Sequence, residues 1–405
     1  MNDSAPSRVV SYAEANRIVR EHSDRLGSTH PAQSVGLLDS LGRVLAEAVL
    51  ADRDQPPFPR STRDGFACRA TDLTDSLPLK VVGSIRAGDA QTIEIAAGKA
   101  VEIMTGAPVP SGADCVVMVE HVECDGNKLR LTPGRSIASG DNIVPMGAEA
   151  RAGDAILPRG TRVSPAQIAA AAAFGKGQLS VFARPRVAIV ATGDELVEVN
   201  QQPLKHQIRN SNSYSLAAQV LAAGAEPVRL PIARDEREHL DAIIRTALET
   251  DLVLLSGGVS MGKYDLVEEV LLSLGAEFFF TGAMIQPGKP IVFGRLGQVY
   301  FFGLPGNPVS TMVTFSLFVE PLLGALCGDA RRGPRFAQAR LASEVRVKTG
   351  LTRFLPASLT DVIVQPVTWQ GSGDLASTSR ANCFLVVPAD KPLLAAGETV
   401  EILLA

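Results

Sequence analysis

The sequence predicts a multidomain α/β protein, in which a central doubly wound parallel-sheet domain is joined by an inserted β domain and a small C-terminal all-β domain. Between Arg186 and Leu323, short apolar strand-like runs alternate with helical runs, a pattern typical of strand–helix–strand units in a parallel sheet. Residues 79–142 and the chain beyond Gly328 instead contain short β-like runs between Gly, Pro and Asp turns. These contrasts in pattern indicate the domain organisation.

The chain begins with a predicted helix and a proline-rich connection. Ser11-Tyr-Ala-Glu14 is a capping box, which predicts a helix to about His22, and residues 35–50 carry a second short apolar pattern. Three prolines at positions 56, 57 and 59 then exclude regular structure. They predict an extended segment that leads to a turn at Asp64-Gly65.

Strands are predicted in the inserted domain at four runs: Lys80–Ile85, Thr92–Ile95, Cys115–Val122 and Lys128–Leu131. Ser164-Pro165 and Gly175 are typical start and stop signals, so they predict an alanine-rich helix between them. We therefore expect an N-terminal helical or linking domain at 1–54 and 143–182 and the inserted β domain at 55–142. The α/β domain is expected at 183–328 and the C-terminal β domain at 329–405.

Within the α/β domain, strands are predicted at Val187–Val190, Pro227–Leu230, Leu252–Leu255, Ile291–Phe293 and Val299–Phe302. Helices are predicted from a cap at Asn212 to Ala223, from just beyond Asp235 to Leu248, from Leu266 to Leu274, and after Gly303–Ser310. The β-like runs of the C-terminal domain are Val345–Val347, Val362–Val364, Phe384–Val387 and Thr399–Leu403.

Composition excludes several classes of protein. The 405 residues include 39 Lys plus Arg and 43 Asp plus Glu, and such a balanced chain is not expected to bind nucleic acid. The five cysteines are scattered without a C-x-x-C pair, which favours a reducing compartment and argues against a zinc–thiolate site. The five histidines form no H-E-x-x-H motif.

No segment of the sequence indicates export or membrane insertion. The N-terminus, Met-Asn-Asp-Ser, lacks the basic and apolar regions of a signal peptide. The most apolar stretch, Val309 to Leu323, is too short and too polar to span a bilayer. The sequence therefore predicts a cytoplasmic protein without a membrane partner.

The strand predicted at Leu252–Leu255 ends in Ser256-Gly257-Gly258 and is followed by a helix. Ligands bind at such turns in open α/β sheets, because glycines let a ligand approach the backbone and the N–H groups beyond can face an anion. Ser256 and Ser260 add hydroxyls. A lone Gly-Gly turn is more often purely structural, so the other loops decide the interpretation.

Polar side chains also follow the neighbouring strands. Thr192 and Glu195, Asp235, and Ser260 with Asp265 each lie just beyond the carboxyl end of a predicted strand, so folding is expected to gather them at one edge. Clustered carboxylates bind a divalent cation, and Mg²⁺ takes one or two of them together with phosphate oxygens. Asp235 alone is also typical of a helix N-cap.

Two Pro-Gly turns strengthen the case for a phosphate-bearing ligand. One carries Lys289, a point charge suited to phosphate. The other opens a helix and offers Pro305, Gly306, Asn307, Pro308 and Ser310 at its positive end.

A competing interpretation is a P-loop nucleotide-binding site. Gly257-x-x-x-x-Gly262-Lys263-Tyr264 nearly matches the P-loop pattern. The last position must provide a small hydroxyl to Mg²⁺, and tyrosine does not meet that requirement. We therefore reject the P-loop interpretation.

Six motifs in one order resemble those of a known family. They are Met104-Thr-Gly-Ala-Pro-Val-Pro, Thr192-Gly-Asp-Glu-Leu196, Asn210-Ser-Asn-Ser213, Ser256-Gly-Gly-Val-Ser260, Pro287-Gly-Lys-Pro290 and Gly303-Leu-Pro-Gly-Asn-Pro-Val-Ser310. From about residue 11 to its C-terminus the chain resembles the molybdopterin molybdenumtransferases, the MoeA family, which is related to the gephyrin E domain. It differs where the family often has Ser-Ala-Met-Asp-Gly-Tyr-Ala and this chain has Ser61-Thr-Arg-Asp-Gly-Phe-Ala67, and at Lys263, where the family usually has an acid.

The resemblance implies that molybdate is inserted into adenylylated molybdopterin, with Mg²⁺ dependence and AMP release, by a homodimer. Because the proline-rich entry from Gln55 to Pro59 is stiff and extended, we expect active sites shared between the two subunits. Carried over by motif, the functional polar residues are Asp64, Thr105, Glu195, Asp235 and Asp265, and Arg353 and Ser372 match more loosely. Asp235 and Asp265 are the expected Mg²⁺ ligands, and Gly257, Gly258, Gly306, Asn307 and Lys289 are expected to hold phosphate. The alternative is a catalytically weak molybdopterin-binding scaffold of the gephyrin E type.

Overall fold

The computed structural model describes residues 8–26, 30–73, 77–89, 93–258, 266–329 and 333–404. The chain divides into two compact units. The first contains Gly160–Ser164 and the described residues of Met1–Ala46 and Ser180–Ala405, and the second contains those of Glu47–Arg159 and Pro165–Leu179. Each unit has its own hydrophobic cores.

A six-stranded sheet forms the centre of the first unit. Its strands are, in spatial order, Glu226–Arg229, Arg186–Ala191, Leu252–Ser256, Val299–Leu304, Val292–Leu296 and Glu277–Phe280. The first four are parallel, whereas the last two pair antiparallel. The prediction of a doubly wound sheet is confirmed, but the sheet is mixed. A hairpin turn at Gly297, which has φ +60°, connects strand Val292–Leu296 directly to strand Val299–Leu304. Because no crossover helix lies between them, these two strands are antiparallel.

Helices cover both faces of this sheet, because successive strand residues point to opposite sides. Val187 and Ile189 lie in one core with Leu216 of helix Asn212–Ala222. The intervening Ala188 and Val190 lie in the other core, with residues of helices Arg237–Ala247 and Leu266–Ser273. The first core also takes residues from the N-terminal helix Tyr12–Leu26.

The N-terminal helix begins where the capping box predicts. Ser11 Oγ accepts a hydrogen bond of 3.2 Å from the Glu14 N–H, as an N-cap does. The helix continues four residues beyond the predicted end at His22, because Ile18 and Val19 remain buried along one face and the next turn stays against the core.

The last apolar segment of the α/β domain is Pro308–Leu326. It consists of helix Pro308–Thr314, a π-helical turn at Phe315–Val319 and helix Glu320–Leu326. By length and composition alone this stretch could cross a membrane, but 83% of it is buried inside the protein. It is the kind of helix that fills a core.

The chain beyond this helix, together with the earlier strand Ile285–Gln286, forms a closed β-structure. Its six-stranded sheet has the order Ile285–Gln286, Thr352–Thr360, Ile363–Pro366, Phe336–Leu341, Thr399–Leu404 and Cys383–Val387. Thr352–Thr360 also pairs with Cys383–Val387, which closes the sheet like a barrel. The C-terminal all-β prediction is confirmed. Strand Val345–Arg346 pairs with Leu393–Leu394, and a short helix spans Leu375–Thr378.

The second unit contains a six-stranded sheet of its own. The order is Cys115–Met118, Gly65–Cys68, Lys99–Ile103, Leu79–Ile85, Lys128–Leu131 and Val122–Asp125. Of the four strands predicted here, the one at Thr92–Ile95 is not found at its described residues 93–95, and the one at Cys115–Val122 is divided by the turn Val119–His121 into Cys115–Met118 and Val122–Asp125. The strands Gly65–Cys68 and Lys99–Ile103 were not predicted. The alanine-rich helix spans Pro165–Ala173, and Gly175 follows it with φ +73°, as predicted.

The remaining elements are short. The strands are Val9–Val10, Ala32–Gly36, Val49–Leu50, Arg60–Ser61, Ile143–Val144, Ala155–Leu157, Gln178–Phe182, Leu196–Val197, Ile208–Arg209 and Gly282–Ala283. Single 3₁₀ turns occur at Leu38–Ser40, Ala70–Asp72 and Val119–His121.

Candidate active site

A pocket of about 310 Å³ lies at the carboxyl ends of the parallel strands in the first unit. Five segments form it: the loops after the strands Arg186–Ala191, Glu226–Arg229, Leu252–Ser256 and Val299–Leu304, and the turn that contains Pro290. Its lining residues are Thr192, Gly193, Glu195, Asp235, Gly257, Gly258, Pro290, Pro305 and Gly306. The pocket therefore lies at the edge of the sheet where the sequence predicts a ligand site.

The Ser-Gly-Gly loop fits closely against Thr192. Gly257 has φ +90°, and a Cβ at this position would lie 2.6 Å from the Thr192 carbonyl oxygen. Gly258 has φ +64°, and its Cβ would lie 2.6 Å from Thr192 Oγ1 and 2.8 Å from Val267. Glycine is therefore required at both positions, for its backbone conformation and for lack of space.

The N–H groups around the pocket do not all face it. The Gly257 N–H donates to the Leu304 carbonyl at 3.3 Å, which corrects its expected role as a phosphate donor. The N–H groups of Gly258, Gly306 and Asn307 donate to no atom of the described residues. These three exposed donors are available to an anion.

The Pro-Gly-Asn-Pro loop is stabilised by a hydrogen bond from the helix that follows it. Thr311 Oγ1 donates to the Pro305 carbonyl at 2.6 Å, and Thr311 is fully buried. Asn307 occupies the N-cap position of helix Pro308–Thr314 without a side-chain capping bond. Ser310 is buried, and its carbonyl accepts a hydrogen bond from Thr314 Oγ1.

Acidic side chains come from the loops after strands Arg186–Ala191 and Glu226–Arg229. Glu195 and Asp235 both line it, and the Asp235 N–H donates to Asp194 Oδ1 at 3.4 Å. Burial, together with the charges of Asp194 and Glu195, raises the pKa of Asp235 because each disfavours its ionised form. Asp235 itself does not cap a helix, since helix Arg237–Ala247 begins after Glu236 without a side-chain capping bond. Asp194 is a member of this group that the sequence interpretation missed.

These carboxylates suit a hard divalent cation. Within the described ranges no group of three or more His, Cys, Asp or Glu side chains could by itself hold a metal ion. Mg²⁺ needs only one or two carboxylates when phosphate and water supply its other oxygen ligands. A cation would also relieve the repulsion that raises the pKa of Asp235. Asp235 and Glu195 therefore fit Mg²⁺ by their chemistry.

Asn212 joins two of the loops. Its Nδ2 donates to Ser256 Oγ at 2.9 Å and to the Gly306 carbonyl at 2.8 Å. The prediction that Asn212 caps its helix is wrong, because Asn212 is already the first helical residue and Asn210 Oδ1 accepts from the Ser213 N–H at 3.1 Å. Ser256 is buried, and its hydroxyl oxygen accepts the hydrogen bond from Asn212.

The expected residues of the C-terminal domain lie beside the other Pro-Gly turn and the apolar helix. Arg353 is buried and pairs with Gln286, the residue before Pro287. A Cβ on Gly288 would lie 2.5 Å from Thr314. The Ser372 carbonyl accepts from the Val309 N–H at 3.0 Å. Lys289, in this turn, is exposed.

Asp64 and Thr105 form a pair in the second unit. The Thr105 N–H and hydroxyl donate to Asp64 Oδ1 at 2.6 and 2.8 Å, and both bonds lower the pKa of Asp64. A Cβ on Gly65 would lie 1.8 Å from the Val117 carbonyl oxygen, which explains the glycine after Asp64. Ser260, Lys263 and Asp265 lie outside the described residues.

Three regions, which together make up most of the chain, match known domain families. Residues 10–175 match the MoeA N-terminal region (domain I and II), residues 188–325 match a probable molybdopterin binding domain, and residues 338–405 match the MoeA C-terminal region (domain IV). The three matches follow the order expected from the motifs.

Relatives that match over more than 90% of the chain support the same family. The molybdopterin molybdenumtransferase of Bacillus subtilis (strain 168) is 34% identical over 395 residues, covering 95% of this chain and 91% of that protein. That of Haemophilus influenzae is 34% identical over 376 residues, covering 91% and 92%. The crystal structure of the molybdopterin biosynthesis moeA protein from Pyrococcus horikoshii OT3 is 30% identical and has a TM-score of 0.83, covering 98% of this chain and 100% of that chain. The chain therefore belongs to the MoeA family of molybdopterin molybdenumtransferases, enzymes of molybdenum cofactor biosynthesis.

Proposed function

We propose that this chain inserts molybdate into adenylylated molybdopterin in a Mg²⁺-dependent reaction that releases AMP. The observation that carries the proposal is the combination of backbone donors and carboxylates at the sheet edge. The donors Gly258, Gly306 and Asn307 lie in the loops after strands Leu252–Ser256 and Val299–Leu304. The carboxylates Glu195 and Asp235 line the pocket from the loops after strands Arg186–Ala191 and Glu226–Arg229. A phosphoanhydride held by a divalent cation needs both kinds of group.

In this proposal the chain acts mainly by positioning its substrates. The loop N–H groups and Lys289 bind the pterin phosphate and the adenylate, and the rigid glycine turns keep those donors aligned before the substrate arrives. Glu195 orients the polar groups of the substrate. Arg353 and Ser372, beside the Pro287–Gly288 turn and the Val309 N–H, complete the proposed set of cofactor-binding residues.

The proposed Mg²⁺ ligands are Asp235 and Asp265. When bound, Mg²⁺ supplies positive charge to the phosphoanhydride oxygens. The raised pKa of Asp235 supports this role, because a carboxylate crowded by like charges gains most from a cation.

We also propose a cytoplasmic homodimer in which each active site uses Asp64 and Thr105 of the other subunit. The support is the family resemblance and the intact Asp64–Thr105 pair. A two-fold dimer gives two equivalent sites of this kind.

The test is AMP release by the purified chain supplied with adenylylated molybdopterin, Mg²⁺ and molybdate. AMP release that requires both molybdate and Mg²⁺ is the expected result. Binding of the substrate without AMP release would instead favour a scaffold of the gephyrin E type, and would overturn the proposed reaction.

A further inference from the structure

Asn212 connects the two glycine loops of the pocket. Its amide nitrogen lies 2.9 Å from Ser256 Oγ and 2.8 Å from the Gly306 carbonyl oxygen, which are 44 and 94 residues away in sequence. The loops themselves are adjacent, since a Cβ on Gly306 would lie 3.7 Å from Gly257 Cα. One side chain therefore joins the ends of two neighbouring strands.

Only a donor can occupy this position. The Gly306 carbonyl oxygen can only accept a hydrogen bond, so the group facing it must be the amide nitrogen. An aspartate of the same size would place a negatively charged oxygen against that carbonyl. The two bonds therefore select asparagine over its closest isostere.

The connection is anchored in the core. Asn212 is the first residue of helix Asn212–Ala222, and Asn210 caps that helix through the Ser213 N–H. Leu216 and Val220 of the same helix are fully buried against the sheet. Because this helix is packed in the core, the position of the Asn212 side chain is set by the helix and not by the two loops.

The other side of the Ser-Gly-Gly loop is also blocked. Thr192 leaves no space for a Cβ on Gly257 or Gly258. The loop is therefore confined between Thr192 on one side and Asn212 with the Gly306 loop on the other. The Gly257 N–H bond to the Leu304 carbonyl joins the two loops at their base, and the two Asn212 bonds join them at Ser256 and Gly306.

We infer that Asn212 is a positioning residue, which sets the distance between the backbone donors of the two loops and so preorganises the pocket for a phosphate-bearing substrate. This inference rests on the proposed function for the identity of the substrate. Its structural part, the connection between the loops, does not depend on that function.

The first measurement is hydrogen–deuterium exchange of the ligand-free full chain. In Asn212→Ala, the amides of Gly257 and Thr311, which donate to the Leu304 and Asn307 carbonyls at the two loops, are expected to exchange at least about tenfold faster than in the wild type, the scale of a lost hydrogen bond of about 1.4 kcal/mol. Amides of residues 216–222 should be unchanged. Unchanged exchange in both loops, or equal acceleration throughout the helix, would overturn the inference.

The second measurement is steady-state AMP release by Asn212→Ala and Asn212→Asp. The KM for adenylylated molybdopterin is expected to rise about tenfold in Asn212→Ala and further in Asn212→Asp, with kcat changed less than about threefold, because loop spacing affects binding of the ground state. Asn212→Gln, which keeps the amide donors, should recover part of the loss. A wild-type KM in Asn212→Ala would overturn the inference, as would a melting temperature that falls in step with the KM change.

A double-mutant cycle separates the connection from two independent effects. Ser256→Ala removes one of the two bonds, so it should raise KM in the wild type but have little further effect in Asn212→Ala. Strict additivity would contradict the inference. A wild type that releases no AMP would overturn the proposed function alone, because the exchange measurement would still decide the role of Asn212.

Discussion

Thr105 donates two hydrogen bonds to the same carboxylate oxygen of Asp64, from its N–H at 2.6 Å and from its hydroxyl at 2.8 Å. Hydrogen bonds to the charged form favour ionisation, so the pKa of Asp64 is lowered. The carbonyl of Asp64 also accepts from the Val119 N–H, which fixes its backbone. Asp64 is therefore an oriented, permanently charged carboxylate at neutral pH.

Replacing Thr105 by valine tests this pair. Thr105→Val keeps the shape and the N–H but removes the hydroxyl, so the pKa of Asp64 should rise toward its ordinary value, and AMP release should fall about tenfold. A lowered carboxylate pKa stabilises the fold above the unfolded-state pKa, and this stabilisation is lost as the pH falls through the folded-state pKa. Because Thr105→Val reduces this stabilisation, acid unfolding of the variant should begin at higher pH.

Carboxyl NMR titration measures the pKa of Asp64. Thr105→Ser is the matched control and should remain close to the wild type. An Asp64 pKa that is unchanged in the valine variant would refute this account.

A second prediction concerns the charges around Asp235. Asp194→Asn should lower the pKa of Asp235, because Asp194 contributes to raising it. A carboxylate pKa that is raised in the folded state favours folding at low pH, and this contribution is lost as the pH rises above the unfolded-state pKa. The variant should therefore melt higher than the wild type at pH 7, by at most about 2 °C, and should show less gain near pH 3.

The matched control is Asp241→Asn. Asp241 pairs with Arg245 at 2.6 Å, so this variant also removes one negative charge, but it breaks a favourable contact and should bring no gain at pH 7. Equal stabilisation by Asp194→Asn at both pH values would exclude repulsion as its cause.

A third prediction compares two glycines with positive φ. In Gly257→Ala the new Cβ would lie 2.6 Å from a backbone carbonyl oxygen, whereas Gly297 has nothing within 4 Å of the added atom. Both variants incur the cost of a left-handed residue, about 1 kcal/mol. Gly257→Ala also incurs overpacking, for a total of roughly 2–4 kcal/mol. Urea denaturation measures both losses, and equal losses would show that the Ser-Gly-Gly loop has room to move.

The Ser-Gly-Gly loop could be predicted from sequence, because a buried run that ends in two glycines is a local signal. The role of Asn212 could not, because its partners lie 44 and 94 residues away. The strand predicted at Ile291–Phe293 is found at Val292–Leu296, but its antiparallel pairing was not predicted. Its first three residues are buried like those of Leu252–Ser256, so pattern alone does not separate parallel from antiparallel pairing. Gly65–Cys68 is likewise buried throughout and only four residues long, too short for a periodic signal.

A fourth prediction concerns Asp265 and its neighbour Lys263. Asp265→Asn should reduce Mg²⁺-dependent AMP release roughly a hundredfold or more, the scale for loss of one preorganised electrostatic group. Its melting temperature should change little. Lys263→Ala should have only a modest effect, because the P-loop interpretation is rejected. Loss of nucleotide binding in Lys263→Ala would revive that interpretation, and wild-type activity in Asp265→Asn would remove Asp265 from the site.

The last prediction concerns the proposed dimer. Asp64 lies in the second unit of the chain, and Asp235 lies in the first. If each active site combines Asp64 of one subunit with Asp265 of the other, inactive Asp64→Ala and inactive Asp265→Asn proteins should complement each other after subunit exchange. A heterodimer would have one site with both defects and one with neither. Random exchange gives half heterodimers, each with one intact site of two, so about a quarter of wild-type activity should return.

Exchange must be shown independently, by co-purification of two different affinity tags. Each variant incubated alone is the control, because it contains only defective sites and should stay inactive. If tagged heterodimers form and activity still does not return, both residues must act within one subunit's site, or Asp64 must lie outside the active site altogether. Recovery near a quarter would instead require that the two carboxylates meet across the dimer, since no arrangement within a single subunit provides an intact site.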